Sequence, residues 1–171
     1  MATNINVSIR YSSFLPVLLE IMKTTHGDVL ELGAGVFSTP ILHWLCQKEK
    51  RNLLTMESDW TWFYFACQYY RTDYHKFIYA KRWNYDENTI KKSWDVVLVD
   101  HSPSQRRVTE VRLLANLAKY IILHDSNQSA DRTYRYSTIY PLFKYRYDLL
   151  KVEPTTTVLS NFVDLKDFNP L

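Results

Sequence analysis

Apolar residues in this chain fall into short continuous runs, separated by stretches in which they recur every three or four positions. The first run, Asp28-Val29-Leu30-Glu31-Leu32, predicts a strand. After Gly33-Ala34-Gly35 come Ser38-Thr39-Pro40 and an apolar helix through Ile41, Leu42, Leu45 and Cys46. Ser38 is a candidate N-cap, and Pro40 suits a first helical turn. Asn52 to Glu57 predicts a second strand, after which Ser58-Asp59 cap an aromatic helix from Trp60 to Tyr70. A short third strand is expected at Phe77 to Ala80, and a fourth at Trp94 to Asp100. The fourth holds Val96-Val97-Leu98-Val99, the pattern of a strand covered on both faces. Ser104 to Ala118 spaces Val108, Val111, Leu114, Ala115 and Ala118 as on one face of a helix, with Arg106, Arg107, Glu110 and Arg112 on the solvent side. Tyr120 to Leu123 predicts a fifth strand, and Ala130 to Phe143 helix and loop. Two last strands, Tyr147–Val152 and Thr156–Leu165, are joined through Pro154. With no room for a crossover helix, these two pair antiparallel or have another strand between them.

The alternation predicts an α/β fold of three layers, α/β/α, around a mostly parallel seven-stranded sheet with an antiparallel C-terminal strand pair. Residues 1–171 fit one domain: 46% of them are hydrophobic and 15% aromatic against 23% charged, enough apolar surface for one core. The longest apolar stretches, such as Phe14 to Leu19 and Ile121 to Leu123, fall far short of the roughly 18–20 residues that span a bilayer. The run after Arg10 is broken by Glu20 and has no small-residue cleavage site behind it, so a cytoplasmic location is expected. Cys46 and Cys67 read as buried core thiols. A formal charge of +3 from scattered Lys and Arg permits nucleic-acid binding without indicating it.

The chain has only three glycines, Gly27, Gly33 and Gly35, all in one short window. A sequence this sparing of glycine places it where backbone freedom or close approach of a ligand is needed. In parallel α/β sheets ligands bind at the carboxyl ends of the strands. The polar residues at those ends are Glu31, Glu57, Asp100, His101, His124 and Asp125. Gly33-Ala34-Gly35 leads into a helix N-terminus, and Glu57 ends the next strand 22 positions after Gly35, near the spacing at which an acid meets ribose hydroxyls. Together these features point to an adenosine-containing cofactor.

Ser38 stands where a dinucleotide fingerprint has its third glycine, and Glu31 adds a carboxylate two residues before Gly33. That charge suits a ligand bearing an ammonium or sulfonium. From Glu31 to Gly35 the chain resembles the first motif of class I S-adenosylmethionine-dependent methyltransferases: acidic residue, any residue, Gly, any residue, Gly. The resemblance spans nearly the whole strand pattern and implies a Rossmann-like fold with S-adenosylmethionine as cofactor. It assigns Gly33, Ala34, Gly35 and Ser38 to the cofactor loop, Glu57 with Ser58 to the ribose, and Glu31 to the methionine end. Asp59 or Trp60, together with Trp83, would flank adenine, and Asp100 would close the cofactor site.

Methyl transfer is an in-line displacement that needs alignment, and a base only where the acceptor loses a proton. Asp100-His101 and His124-Asp125 close neighbouring strands. Asp100-His101-Ser102-Pro103 departs from the Asn/Asp/Ser-Pro-Pro-aromatic motif of exocyclic-amine methyltransferases. Asp100 and Asp125 are instead similar to the divalent-ion ligands of catechol-type small-molecule O-methyltransferases, which implies Mg²⁺, although Ser126 and Pro103 replace that family's Asn and Lys. The expected catalytic set is Asp100, His101, His124 and Asp125, with His101 or His124 as general base toward a hydroxyl. The expected acceptor is a small or saccharide-like molecule, held by Tyr11 to Phe14 or by a second subunit of a homo-oligomer. The interleaved Tyr134-Arg135-Tyr136, Tyr140 and Lys144 to Tyr147 would suit sugars or single-stranded RNA, with amphipathic packing as the plainer alternative. Rival readings are RNA methylation, a nicotinamide-dependent reductase, and a catalytically silent cofactor-binding module.

Overall fold

The computed structural model describes residues 8–170. In chain order the elements are α1 (Leu15–Thr24), β1 (Val29–Leu32), α2 (Ser38–Glu49), β2 (Leu53–Glu57), α3 (Trp60–Tyr70) and β3 (His75–Tyr79). Then follow β4 (Trp94–Val99), α4 (Arg107–Leu114), β5 (Ala118–Leu123), the single turn α5 (Asp131–Tyr134), β6 (Tyr145–Leu149) and β7 (Thr156–Ser160). They build one seven-stranded sheet in the order β3-β2-β1-β4-β5-β7-β6. The first five strands are parallel, and β7 runs antiparallel to both β5 and β6. The chain leaves β1 toward β2 on one side and returns to β4 on the other, so a crevice opens at the carboxyl ends of β1 and β4.

Strand alternation sorts the side chains onto two faces. One carries Val29, Leu53, Val96, Leu98 and Ile122 against Val17, Leu18 and Ile21 of α1 and Leu42 and Cys46 of α2. The other carries Leu30, Leu32, Met56, Val97, Val99, Ile121 and Leu123 against Val111 and Leu114 of α4, Trp83 and Ile139. Each fully buried Val or Leu contributes roughly 1.5–3 kcal/mol of transfer free energy. With both faces covered, the strands read as continuous apolar runs in sequence, and for the same reason they were legible there.

Several boundaries differ from the sequence expectation. Phe14 to Leu19 opens helix α1, which buries Val17, Leu18, Ile21 and Met22 on one stripe. No α-helix links β3 to β4. That segment holds 3₁₀ turns at Lys81–Trp83 and Glu87–Thr89, because its polar residues lack a helical stripe and Ala80, Trp83 and Ile90 reach the core at irregular spacing. The expected helix over Ser104 to Ala118 begins as a 3₁₀ turn, is α-helical from Arg107 to Leu114, and gives Ala118 to β5. Arg107 and Glu110, expected on its solvent face, are buried. Ser38 lies inside α2 instead of capping it. Asp59 does cap α3, accepting from the Thr61 and Trp62 amides at 2.8 and 3.1 Å. Cys46 is buried as expected, whereas Cys67 is only half-buried, and both are free thiols. No helix among the described residues is long and apolar enough to cross a membrane.

Candidate functional site

A cleft of about 710 Å³ lies at the carboxyl ends of β1, β4 and β5. Its first half is the loop after β1. Gly33 has φ +101°, and a Cβ there would fall 2.7 Å from the carbonyl carbon and oxygen of Asp100. Only glycine lets the exit of β1 pass so close to the end of β4. Ala34, Gly35 and Ser38 line the cleft beyond it. Glu57, at the end of β2, turns back under this loop. Its carboxylate accepts from the amides of Ala34 (2.8 Å), Ser58 (2.6 Å) and Asp59 (2.7 Å). A carboxylate offers about four acceptor positions, so one remains for a ligand. Burial pushes the Glu57 carboxyl above its usual range, although the three amides oppose this.

The second half joins the ends of β4 and β5. Asp100, His124, Asp125 and Arg107 line the cleft together with Tyr134. The Arg107 guanidinium lies 3.0 Å from Asp100 Oδ1 and 3.4 Å from Asp125 Oδ2. It also donates to the His101 carbonyl (2.7 Å) and the His124 carbonyl (3.2 Å), so one buried cation ties two strand ends and two carboxylates together. His124 Nδ1 lies 3.1 Å from Asp100 Oδ1. Its Nε2 lies 3.0 Å from Ser13 Oγ, whose proton goes to the Pro154 carbonyl at 2.7 Å. Ser13 must therefore accept from Nε2–H. Burial disfavours the His124 cation, but Asp100 and Asp125 outweigh it and raise the imidazole above its ordinary value. Burial likewise pushes Asp100 up, and its contacts with His124 and Arg107 more than reverse that. Asp125 has φ +56° at the turn out of β5 and accepts from Tyr134 Oη at 3.0 Å.

Tyr11 and Phe14, from the segment before and at the start of α1, line the same cleft, with the Phe14 ring edge-on to His124. Asp59 also lines it, as do Thr61 and Trp62. Trp60 is exposed, so Trp62 is the α3 tryptophan at the cleft.

Three expected site residues lie elsewhere. His101 points into the core beneath α4, with Nε2 3.3 Å from Glu110 Oε2 and its ring against Trp83. Burial pushes this imidazole down despite Glu110, and a fully enclosed ring reaches no acceptor. Trp83 is itself buried, donating its indole N–H to the Ser102 carbonyl, so it packs the core instead of flanking a ligand. Glu31 is completely buried beneath the loop, bonded to Thr39 and Thr55. Ser58 does not line the cleft; its amide donates to Glu57, and its hydroxyl lies between the Ser102 carbonyl (3.0 Å) and Glu57 Oε1 (3.5 Å). Ser126 faces β7 and donates to the Thr155 carbonyl.

Of the aromatic and basic segment, Tyr136 is buried while Tyr134 reaches the cleft. Tyr140 and Arg146 line a separate cavity of about 390 Å³, the guanidinium 3.6 Å from the Tyr140 ring centre. Arg107 was expected on a solvated face and Tyr134 only as part of an interleaved segment, because an Arg-Arg pair and a Tyr-rich stretch look the same whether solvated or buried.

No protein-family model matches the sequence, and no curated protein matches it significantly. Solved structures do match it. Cofactor-bound Rv0187 from MTB superposes with a TM-score of 0.64 at 17% identity, over 94% of this chain and 84% of that one. The METTL16 MTase domain gives 0.64 at 11% identity over 95% and 71%. Human methyltransferase-like protein 13 in complex with SAH gives 0.62 at 12% over 92% and 83%. At these identities the likeness is one of fold. The chain has the Rossmann-like fold of class I methyltransferases.

Proposed function

We propose that this domain binds S-adenosylmethionine and transfers its methyl group to a hydroxyl of a small or saccharide-like acceptor. The observation that carries the reading is the continuity of one cleft from Ala34, Gly35 and Glu57 to Asp100 and Asp125. Bound there, the cofactor supplies an electrophilic methyl group on a sulfonium. Glu57, fixed by three amides, offers its last acceptor position to a ribose hydroxyl. Asp59 and Trp62 border the adenine side.

Arg107 holds Asp100 and Asp125 in place. His124 commits Nε2–H to Ser13 and turns Nδ1 toward Asp100 at 3.1 Å, so neither ring nitrogen is free to face an acceptor. The base role therefore moves to Asp125. Its Oδ2 is engaged by Tyr134 and Arg107, leaving Oδ1 to align the acceptor hydroxyl and take its proton as the new bond forms.

Asp100, His124 and Asp125 offer donor atoms within 4.8 Å of one another, a spacing that suits a divalent ion. Arg107 already pairs with both carboxylates, and His124 Nδ1 is turned to Asp100, so the oxygens an ion would need are engaged. We read the donor set as unfit for Mg²⁺, with Arg107 as the counter-charge.

The test is incubation with methyl-labelled S-adenosylmethionine and a panel of phenolic and sugar hydroxyl acceptors, with RNA as comparator, in Mg²⁺ and in EDTA. Label on a hydroxyl acceptor in both media, abolished by Asp125→Asn, is the expected result. Label on RNA alone, or loss of transfer in EDTA, contradicts the acceptor or the metal assignment respectively. Cofactor binding with no transfer to any acceptor favours the silent module.

A further inference from the structure

Beneath the cofactor loop runs a chain of buried polar side chains that the reaction above does not use. Thr39 Oγ1 accepts from the Gly35 amide at 2.9 Å and donates to the Glu31 carboxylate at 2.9 Å. From the other side, Thr55 Oγ1 donates to Glu31 Oε2 at 2.6 Å. Thr55 Oγ1 lies 2.7 Å from His75 Nε2, and His75 Nδ1 lies 3.2 Å from His43 Nδ1. All five side chains are buried. They connect the loop at Gly35, through three strands, to the helix α2 that carries both Thr39 and His43.

We propose that Thr55, His75 and His43 form a proton-ordering relay that sets the charge of Glu31 beneath the Gly35 loop, so that cofactor binding at the loop strengthens as Glu31 ionises. The inference rests on the S-adenosylmethionine reading above for the ligand, and on geometry for the relay. Each link has one proton to give. An ionised Glu31 takes the proton of Thr55, so Thr55 Oγ1 accepts from His75 Nε2–H. His75 stays neutral and carries one proton, which leaves Nδ1 bare, and that nitrogen accepts from His43 Nδ1–H in competition with the Tyr70 backbone that His43 also faces. A protonated Glu31 that donates to Thr55 reverses every link. Thr55 then turns to His75 Nε2, His75 moves its proton to Nδ1, and His43 accepts there.

The surroundings place Glu31 near the balance point. Burial pushes its carboxyl up to about 7, against the pull of Ser38, Thr55 and Thr39. Burial, reinforced by His43, pushes His75 down to about 3, which keeps it neutral. The titratable groups around Glu31 are Glu57 on β2, His75 on β3, and His43 and Cys46 on α2. β4 places apolar Leu98 beside it. Glu57 opposes ionisation of Glu31, and the Cys46 thiol stays neutral because burial pushes it up to about 12.

Two measurements test the relay. Nitrogen NMR of the wild-type protein at pH 8 reads the tautomers directly: a proton on Nε2 of His75 and on Nδ1 of His43 is expected. Calorimetry with S-adenosylhomocysteine from pH 5.5 to 8.5 reads the consequence. In the wild type, affinity should rise up to about tenfold per pH unit and level off above about pH 7, the behaviour of one linked proton. Thr55→Val should move that midpoint up by about one unit, the size of one hydrogen bond lost by a carboxylate. His75→Phe should move it less, and His75→Gln, which retains an N–H for Thr55, should leave it in place. A merely structural role would weaken binding equally at every pH. An unmoved midpoint in both Thr55→Val and His75→Phe, or a His75 proton on Nδ1 at pH 8, overturns the proposal. Absence of S-adenosylhomocysteine binding would overturn the cofactor reading alone. The tautomers, and the Glu31 carboxyl titration followed by carbon NMR, decide the relay without any ligand, as they do if a variant fails to fold.

Discussion

The two faces of the central strands are equally buried and chemically unlike. On the α4 side, β1, β2, β4 and β5 meet the core with apolar side chains, among them Leu30, Leu32, Met56, Val97, Val99, Ile121 and Leu123. On the α2 side the same strands interleave Glu31 and Thr55 with Val29, Leu53 and Leu98, and β3 adds His75. Burying a polar group is unfavourable unless it is hydrogen-bonded. A face of a closed core that keeps a carboxylate, a hydroxyl and an imidazole in one bonded chain is serving the loop above it. Where charge occurs on the α4 side, it comes from α4 and the strand ends, at Arg107, Glu110 and His101, and not from the middle of the sheet. Both faces hold the fold, and the α2 face braces the loop as well.

The largest expected disruption lies at the rim of the α4 face. Arg107→Met strands two partly buried carboxylates, and loss of one partner of a buried ion pair costs about 3–5 kcal/mol. Denaturant unfolding at pH 7 should show that loss, and lowering the pH should return part of it as Asp100 protonates. In the middle of the same face, Leu32→Ala should cost about 2–5 kcal/mol through lost transfer energy and a cavity. Its penalty should be the same at pH 5 and pH 8, since its strand neighbours Met56 and Val99 carry no titratable group.

On the α2 face the effect of substitution should depend on pH. A Glu31 carboxyl raised to about 7 in the folded protein, above the roughly 4.5 of the unfolded chain, contributes stability that is present below about 4.5 and lost as pH rises to about 7. Glu31→Gln removes that loss. The stability of the variant relative to wild type should rise across this window by at most ~3 kcal/mol, and stay level above it. His75, pushed down to about 3, has the opposite sign: it stabilises above its ordinary range and loses that contribution as pH falls. Glu31→Gln should therefore leave a steeper decline on acidification, measurable by unfolding from pH 4 to 8. A parallel offset at all pH values would erase the distinction between the faces.

The fold was legible in the sequence because doubly covered strands spell out apolar runs such as Val96 to Val99, and strand ends follow from them. The tight turn after β1 was legible because glycine is so scarce that Gly33 and Gly35 stand out, and Glu57 does fall at the end of β2 and bonds that loop. What the sequence hid is direction. Asp100, His101, His124 and Asp125 are neighbours in the chain pattern, yet alternation at the end of β4 sends Asp100 into the cleft and His101 beneath α4. Trp83 looked like a stacking platform and is a core side chain, because burial of an indole leaves no mark on the sequence around it. Glu31 was expected to face the ligand, and Thr39 and Thr55, ordinary residues in a helix and a strand, hold it below the loop instead. Arg107 became recognisable only once two carboxylates and two strand-end carbonyls converged on it.

The account stands or falls on what enters the cleft above Glu57. Calorimetric titration of S-adenosylhomocysteine, with NADH as comparator, into the wild-type protein and Glu57→Ala is the most direct test. Micromolar binding of S-adenosylhomocysteine, weakened at least tenfold by Glu57→Ala and absent for NADH, is the predicted result. No binding of S-adenosylhomocysteine, or equal affinity in the variant, would contradict it.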